Sequence, residues 1–103
     1  MQLGKLQAEI GRIRDAGADV LAISNDDVER AKRMAAEIDG GILFLSDPSL
    51  RAIYAYGMKG EGMPMADMGY VVIDRAGRIS IRRIDRQFGE HVDQIVTALK
   101  NAA

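Results

Sequence analysis

The 103-residue chain contains no cysteine. That single absence excludes disulfides, thiolate metal ligands and every cysteine nucleophile. Tryptophan is missing as well, aromatic residues amount to 5%, and histidine occurs once, so neither a base-stacking platform nor a histidine metal site has much to be built from. Fourteen basic side chains against fifteen acidic ones leave a formal charge of -1, and no global field draws the chain to nucleic acid or to an anionic membrane. No stretch approaches the eighteen or so apolar residues that a membrane span requires, and no apolar run follows a basic start at the N-terminus. These features place the chain in the cytoplasm, without nucleic-acid or membrane partners. With 48% hydrophobic and 28% charged residues, the length reads as one domain covering residues 1–103.

Hydrophobic spacing then divides the chain. Leu3, Leu6, Ile10 and Ile13 recur at the period of one helix face, predicting a helix over 2–16 capped by Gly17. Val20 to Ser24 is a nearly unbroken apolar run, the pattern of a strand covered on both faces. Asn25, Asp26 and Asp27 predict the cap of a second helix with Val28, Ala31, Ala35 and Ile38 as its buried stripe, ended by Gly40 and Gly41. A second strand spans 42–45, and Ser46-Asp47-Pro48 predicts a short helix with proline in its first turn, running through Leu50, Ile53 and Tyr54 to Gly57. Residues 58–69 hold four methionines without periodicity and read as an irregular loop. Tyr70 to Ile73, the turn Asp74 to Gly77, and Ile79 with Ile81 predict a hairpin, with a bulge at Arg82-Arg83-Ile84 where the two-residue period breaks. Val92, Ile95, Val96 and Leu99 predict a closing helix. The order is that of an α/β protein that starts on a helix, with no strand ahead of it to complete the first crossover.

The same residues resemble the peroxiredoxins of the alkyl hydroperoxide reductase and thiol-specific antioxidant type, especially the bacterioferritin-comigratory branch. Leu3 to Leu6 is similar to the helix after the peroxidatic cysteine, Gly17 to Ser24 to the strand "GaeVlaIS", Leu45 to Pro48 to "LSDp", Ala55 to Gly57 to "aYGv", and Val72 to Ile79 to "fvIDrdGrI". The resemblance implies a truncated thioredoxin-like fold lacking the N-terminal hairpin and central strand. Met1 falls just beyond the place of the peroxidatic cysteine. The family's arginine ahead of the "fvID" strand has no counterpart, since Asp67, Met68 and Gly69 stand there, and Pro64 lies too far upstream to match a cis-proline. The chain therefore reads as a redoxin domain that is catalytically incomplete. It is either a fragment of a longer cysteine-bearing product, which would use a thiol reductant, or a cysteine-free relative acting by binding.

Other candidate sites give way to simpler readings. His91 beside Glu90 and Asp93 lacks a nucleophile motif and reads as a surface helix histidine. Met58, Met63, Met65 and Met68 could offer thioethers to Cu(I), but methionine more commonly fills irregular apolar surface. Arg75, Arg78, Arg82, Arg83 and Arg86 crowd the hairpin and read as charge guarding a sheet edge. Gly60-Glu61-Gly62 lacks the lysine of a phosphate loop. No catalytic, cofactor-binding or metal-ligating residue is assigned.

By the resemblance, the central strand would lie between Val20–Ser24 and Tyr70–Asp74. Each backbone group left buried and unpaired costs about 1–3 kcal/mol, against a total stability of about 5–15 kcal/mol. The flanking strands must therefore close on one another, or a second copy must contribute, and a homodimer is the expectation.

Overall fold

The computed structural model describes residues 2–38, 41–62 and 65–102. They form two compact units, residues 1–19 with 68–103 and residues 20–67. The helix ends predicted at Gly40, the loop methionine Met63 and Pro64 lie outside the described residues.

In the first unit the helix predicted over 2–16 is two helices, α1 Gln2–Ala8 and α2 Ile10–Asp15, separated at Glu9. The backbone tightens there: Glu9 donates to the Leu6 carbonyl at 3.0 Å, and the Glu9 carbonyl accepts from Arg12 at 3.0 Å. These three-residue spans replace the four-residue ladder of an α-helix. Leu6 and Ile13 are buried as their spacing requires, and Gly17, at φ +87°, ends α2 in the left-handed conformation.

Strands β3 Gly69–Ile73 and β4 Ile79–Ile84 form an antiparallel hairpin. The Asp74 carboxylate fixes its turn by accepting the N–H groups of Ala76 and Arg78, both at 2.9 Å. The bulge is not at Arg82-Arg83-Ile84, which pair regularly with Val71, Tyr70 and Gly69. The register shifts between Val72 and Ile73, leaving Ser80 as the extra residue beside the turn. Helix α5, Val92–Ala102, packs on β3 and buries Val92 and Ile95, with Val72 buried on the strand. Ahead of it a 3-10 turn, Phe88–Glu90, receives α1 so closely that Gly89 donates to the Gln2 side chain at 2.8 Å. A Cβ on Gly89 would lie 2.3 Å from the Gln2 carbonyl oxygen.

In the second unit, β1 Val20–Ser24 and β2 Ile42–Ser46 pair in parallel, joined by α3 Val28–Glu37. Asp27 caps α3 by accepting the Arg30 N–H at 2.9 Å, as the polar cluster predicts. Only part of the predicted stripe is buried: Ala31 and Ile38 are, whereas Val28 and Ala35 are exposed. The strands also fail the expectation of cover on both faces. Leu21 and Leu43, register partners, are each 59% exposed, while Ile42 is buried on the other face. The short helix α4, Arg51–Ala55, starts three residues after Pro48 because Leu50 takes a left-handed φ of +62°. That conformation costs a non-glycine residue about 1–2 kcal/mol, offset by Asp47, whose carboxylate accepts from Arg51 at 3.2 Å and Ile53 at 2.8 Å. The segment read as an irregular loop carries an antiparallel bridge, Lys59 to Ala66, and its last residue, Gly69, already belongs to β3.

Among the described residues β1 pairs with β2 alone and β3 with β4 alone. The architecture is α/β, and it suits a thioredoxin-like fold without its N-terminal hairpin and central strand.

Glycine content gives a paired test. A Cβ on Gly69 would lie 2.1 Å from the Arg83 carbonyl oxygen, whereas one on Gly4 in α1 meets nothing within 4 Å. Gly69→Ala is expected to destabilise the chain by about 1–3 kcal/mol, and Gly4→Ala to stabilise it by about 0.5–1 kcal/mol. Urea denaturation of both variants checks the opposite signs, and equal effects would refute the close approach.

Candidate functional site

The densest polar constellation gathers where β4 runs into α5. Asp85 follows β4 directly, and its N–H donates to the Met68 carbonyl at 2.8 Å. Its carboxylate accepts the Gln87 N–H at 3.0 Å on one oxygen, and the other lies 2.6 Å from His91 Nδ1. His91 stands just ahead of α5, with its N–H on the Phe88 carbonyl at 3.1 Å and its own carbonyl accepting from Gln94 at 3.0 Å. One carboxylate therefore laces both ends of the connection. The hydrogen bond from His91 is the main cause that holds the Asp85 carboxyl below its ordinary value, against an opposing effect of desolvation.

A histidine–carboxylate pair is two members of a nucleophile-activating relay. The third member is missing: among the described residues no hydroxyl bonds the other ring nitrogen. The pair is a clasp on the chain. Around it Lys5 of α1 pairs with Glu90, lowering that carboxyl, and Arg12 of α2 pairs with Asp93, so both helices are tied to the segment ahead of and within α5. Burial pushes the Tyr70 phenol up, and its hydroxyl is buried without a hydrogen-bond partner among the described residues.

The other candidates do not converge. Met58 is buried in its unit, while Met65 and Met68 are exposed. Gly60 donates to the Met65 carbonyl at 2.9 Å, and Gly60-Glu61-Gly62 is part of that local turn. Arg75, Arg78, Arg82, Arg83 and Arg86 are all exposed on the hairpin and its flank. At the position where the family resemblance looks for an arginine, Asp67 donates its N–H to the Met58 carbonyl at 2.7 Å, and Met68 offers its carbonyl to Asp85. Among the described residues no group of three or more histidine, cysteine, aspartate or glutamate side chains could hold a metal ion. No described helix is long and apolar enough to cross a membrane. Sequence reading missed the Asp85–His91 clasp because the two residues are six apart across a non-periodic turn, a spacing with no pattern to detect.

A family model, the AhpC/TSA family, matches residues 1–82. No curated protein matches the chain.

The clasp sets a pH dependence. The Asp85 carboxyl is held below its ordinary value near 3.8 in the folded chain, so the native state binds fewer protons than the unfolded one. Its stabilisation is complete above that value and is lost as pH falls from there through the lowered value of the folded chain. Asp85→Asn is expected to lower the thermal midpoint at neutral pH, with the gap to wild type narrowing as pH approaches about 3. A gap that stays constant across the pH series would exclude a charge-dependent clasp.

Proposed function

Because the chain belongs to the AhpC/TSA family, we propose that it is a peroxiredoxin-like redoxin domain that is catalytically incomplete as it stands. The carrying observation is a family match over residues 1–82 in a chain without a cysteine at any position. Thiol-dependent peroxide reduction needs a thiolate to attack the O–O bond and become a sulfenic acid that a second thiol reduces. Methionine can accept one oxygen, but without a reductase it stops there, so it supports no turnover. A form of the protein that carries a peroxidatic cysteine would reduce hydroperoxides at the expense of a thiol donor, and the cytoplasm, which keeps such donors reduced, is the compartment this reading expects. The match crosses both compact units, which supports reading residues 1–103 as one thioredoxin-like domain.

A cysteine-free domain of this kind acts by binding. The exposed Leu21 and Leu43, with Leu45 39% exposed on the same face of β2, favour that second reading. β1 and β2 each have a single strand neighbour among the described residues, so the sheet keeps open edges beside an apolar face. A second copy of the chain covers such a surface in a homodimer.

Two experiments test these readings. The purified chain, supplied with hydrogen peroxide and dithiothreitol, is expected to consume peroxide no faster than buffer; sustained turnover would overturn the incomplete-enzyme reading. Sedimentation at micromolar concentration is expected to show a dimer that Leu43→Lys converts to monomer. A wild-type chain that stays monomeric would remove the dimer and leave the first reading intact.

A further inference from the structure

The hairpin and α5 leave a second surface, of different chemistry, in the unit of residues 1–19 and 68–103. Helix α5 packs on β3, and beside it the face of β4 forms the floor of an open groove of about 330 Å³. Ile81 and Arg83 supply the strand side, and Gln94, Thr97, Ala98 and Asn101 the helix side. Asp93, also at the groove, pairs with Arg12. β4 has β3 as its one strand neighbour among the described residues, so its outer edge presents backbone N–H and C=O groups to solvent.

Charge on this surface is unbalanced. The two carboxylates within the hairpin and its flank are committed elsewhere: Asp74 to the turn amides, Asp85 to Gln87 and His91. Among the described residues, Arg75, Arg78, Arg83 and Arg86 form no ion pair; Arg83 donates to the Gln94 amide oxygen at 3.4 Å and adds a minor favourable field at Asp85. We propose that the β4 edge and the adjoining groove dock an extended acidic segment of a partner protein by strand addition. The edge supplies main-chain hydrogen bonds, Ile81 a small apolar floor for alternate side chains, and the arginines a match for carboxylates.

The occupant follows from charge and from the strand edge together. A second copy would bring to that edge a β4 of the same net positive charge, which weakens the pairing. A nucleic acid would find one aromatic residue on the hairpin, Tyr70, and so no row of rings on which successive bases stack. A lipid headgroup layer would match the charge but would offer no ladder to the edge. An acidic β-segment satisfies both. This inference is independent of the dimer, which uses the other sheet.

A fluorescein-labelled peptide of alternating glutamate and valine tests it, titrated into the full chain with anisotropy as the readout. Saturable binding that weakens with salt is expected, with amide NMR shifts confined to residues 79–84 and 94–101. Arg83→Glu and Arg78→Glu are each expected to weaken binding about tenfold, and far-UV circular dichroism confirms that each variant is folded. A peptide N-methylated at alternate amides is expected to lose binding, because it cannot complete the ladder. Failure to saturate, affinity unchanged in both arginine variants, full retention by the methylated peptide, or shifts elsewhere would each overturn the proposal. Tighter binding to phosphatidylserine vesicles or single-stranded DNA, with the same shifts, would overturn it in favour of those partners.

Discussion

Each strand of this protein has one ladder neighbour among the described residues, and that constraint governs the remaining structure. A two-stranded sheet is marginal in water, because half of its backbone groups face solvent and its apolar side chains need a second layer. Each pair is therefore carried by a helix laid on one face. Helix α3 packs on β2, with Ala31, Ile38 and Ile42 buried, and α5 packs on β3, with Val92, Ile95 and Val72 buried. One face of each sheet is packed. The other keeps Leu21 and Leu43 in one unit, and Ile73 and Ile79 in the other, substantially exposed.

Polar groups reinforce the same points of support. Four aspartates act on the backbone, each where a strand or helix begins or ends: Asp27 caps α3, Asp47 feeds two amides of α4, Asp74 closes the hairpin turn, and Asp85 clasps the approach to α5. A carboxylate so engaged satisfies amides that have no helical or ladder partner. It is also withdrawn from pairing with surface cations. Arg75, Arg78 and Arg83 of the hairpin form no ion pair among the described residues, although the chain as a whole carries a formal charge of only -1.

For the chemistry, membership of the AhpC/TSA family and the absence of cysteine have to be held together. Thiol-dependent peroxide reduction needs a thiolate, and this chain has no cysteine to supply one. The one histidine is spent on a structural bond to Asp85, with no hydroxyl or thiol to activate. The surface carries an apolar strand face in one unit and an arginine-lined strand edge in the other.

Local chemistry was written plainly in the sequence. The strand at Val20–Ser24, the cap at Asp27, the left-handed Gly17 and the turn Asp74–Gly77 each depend on residues within a few positions of one another, so spacing alone determined them. Family membership was legible in the same way, from short motifs in register. Where distant segments meet, the sequence was silent or misleading. Glu9 divides a helix whose apolar period is unbroken, the register shift settles at Ser80, and Val28 and Ala35 turn to solvent despite sitting on the predicted stripe. The Asp85–His91 clasp, the tight seat of α1 on Gly89 and the uncovered face of Leu21 and Leu43 were decided by tertiary structure. Burial and pairing depend on which surfaces come together in space, and apolar periodicity records only that a residue is able to be covered.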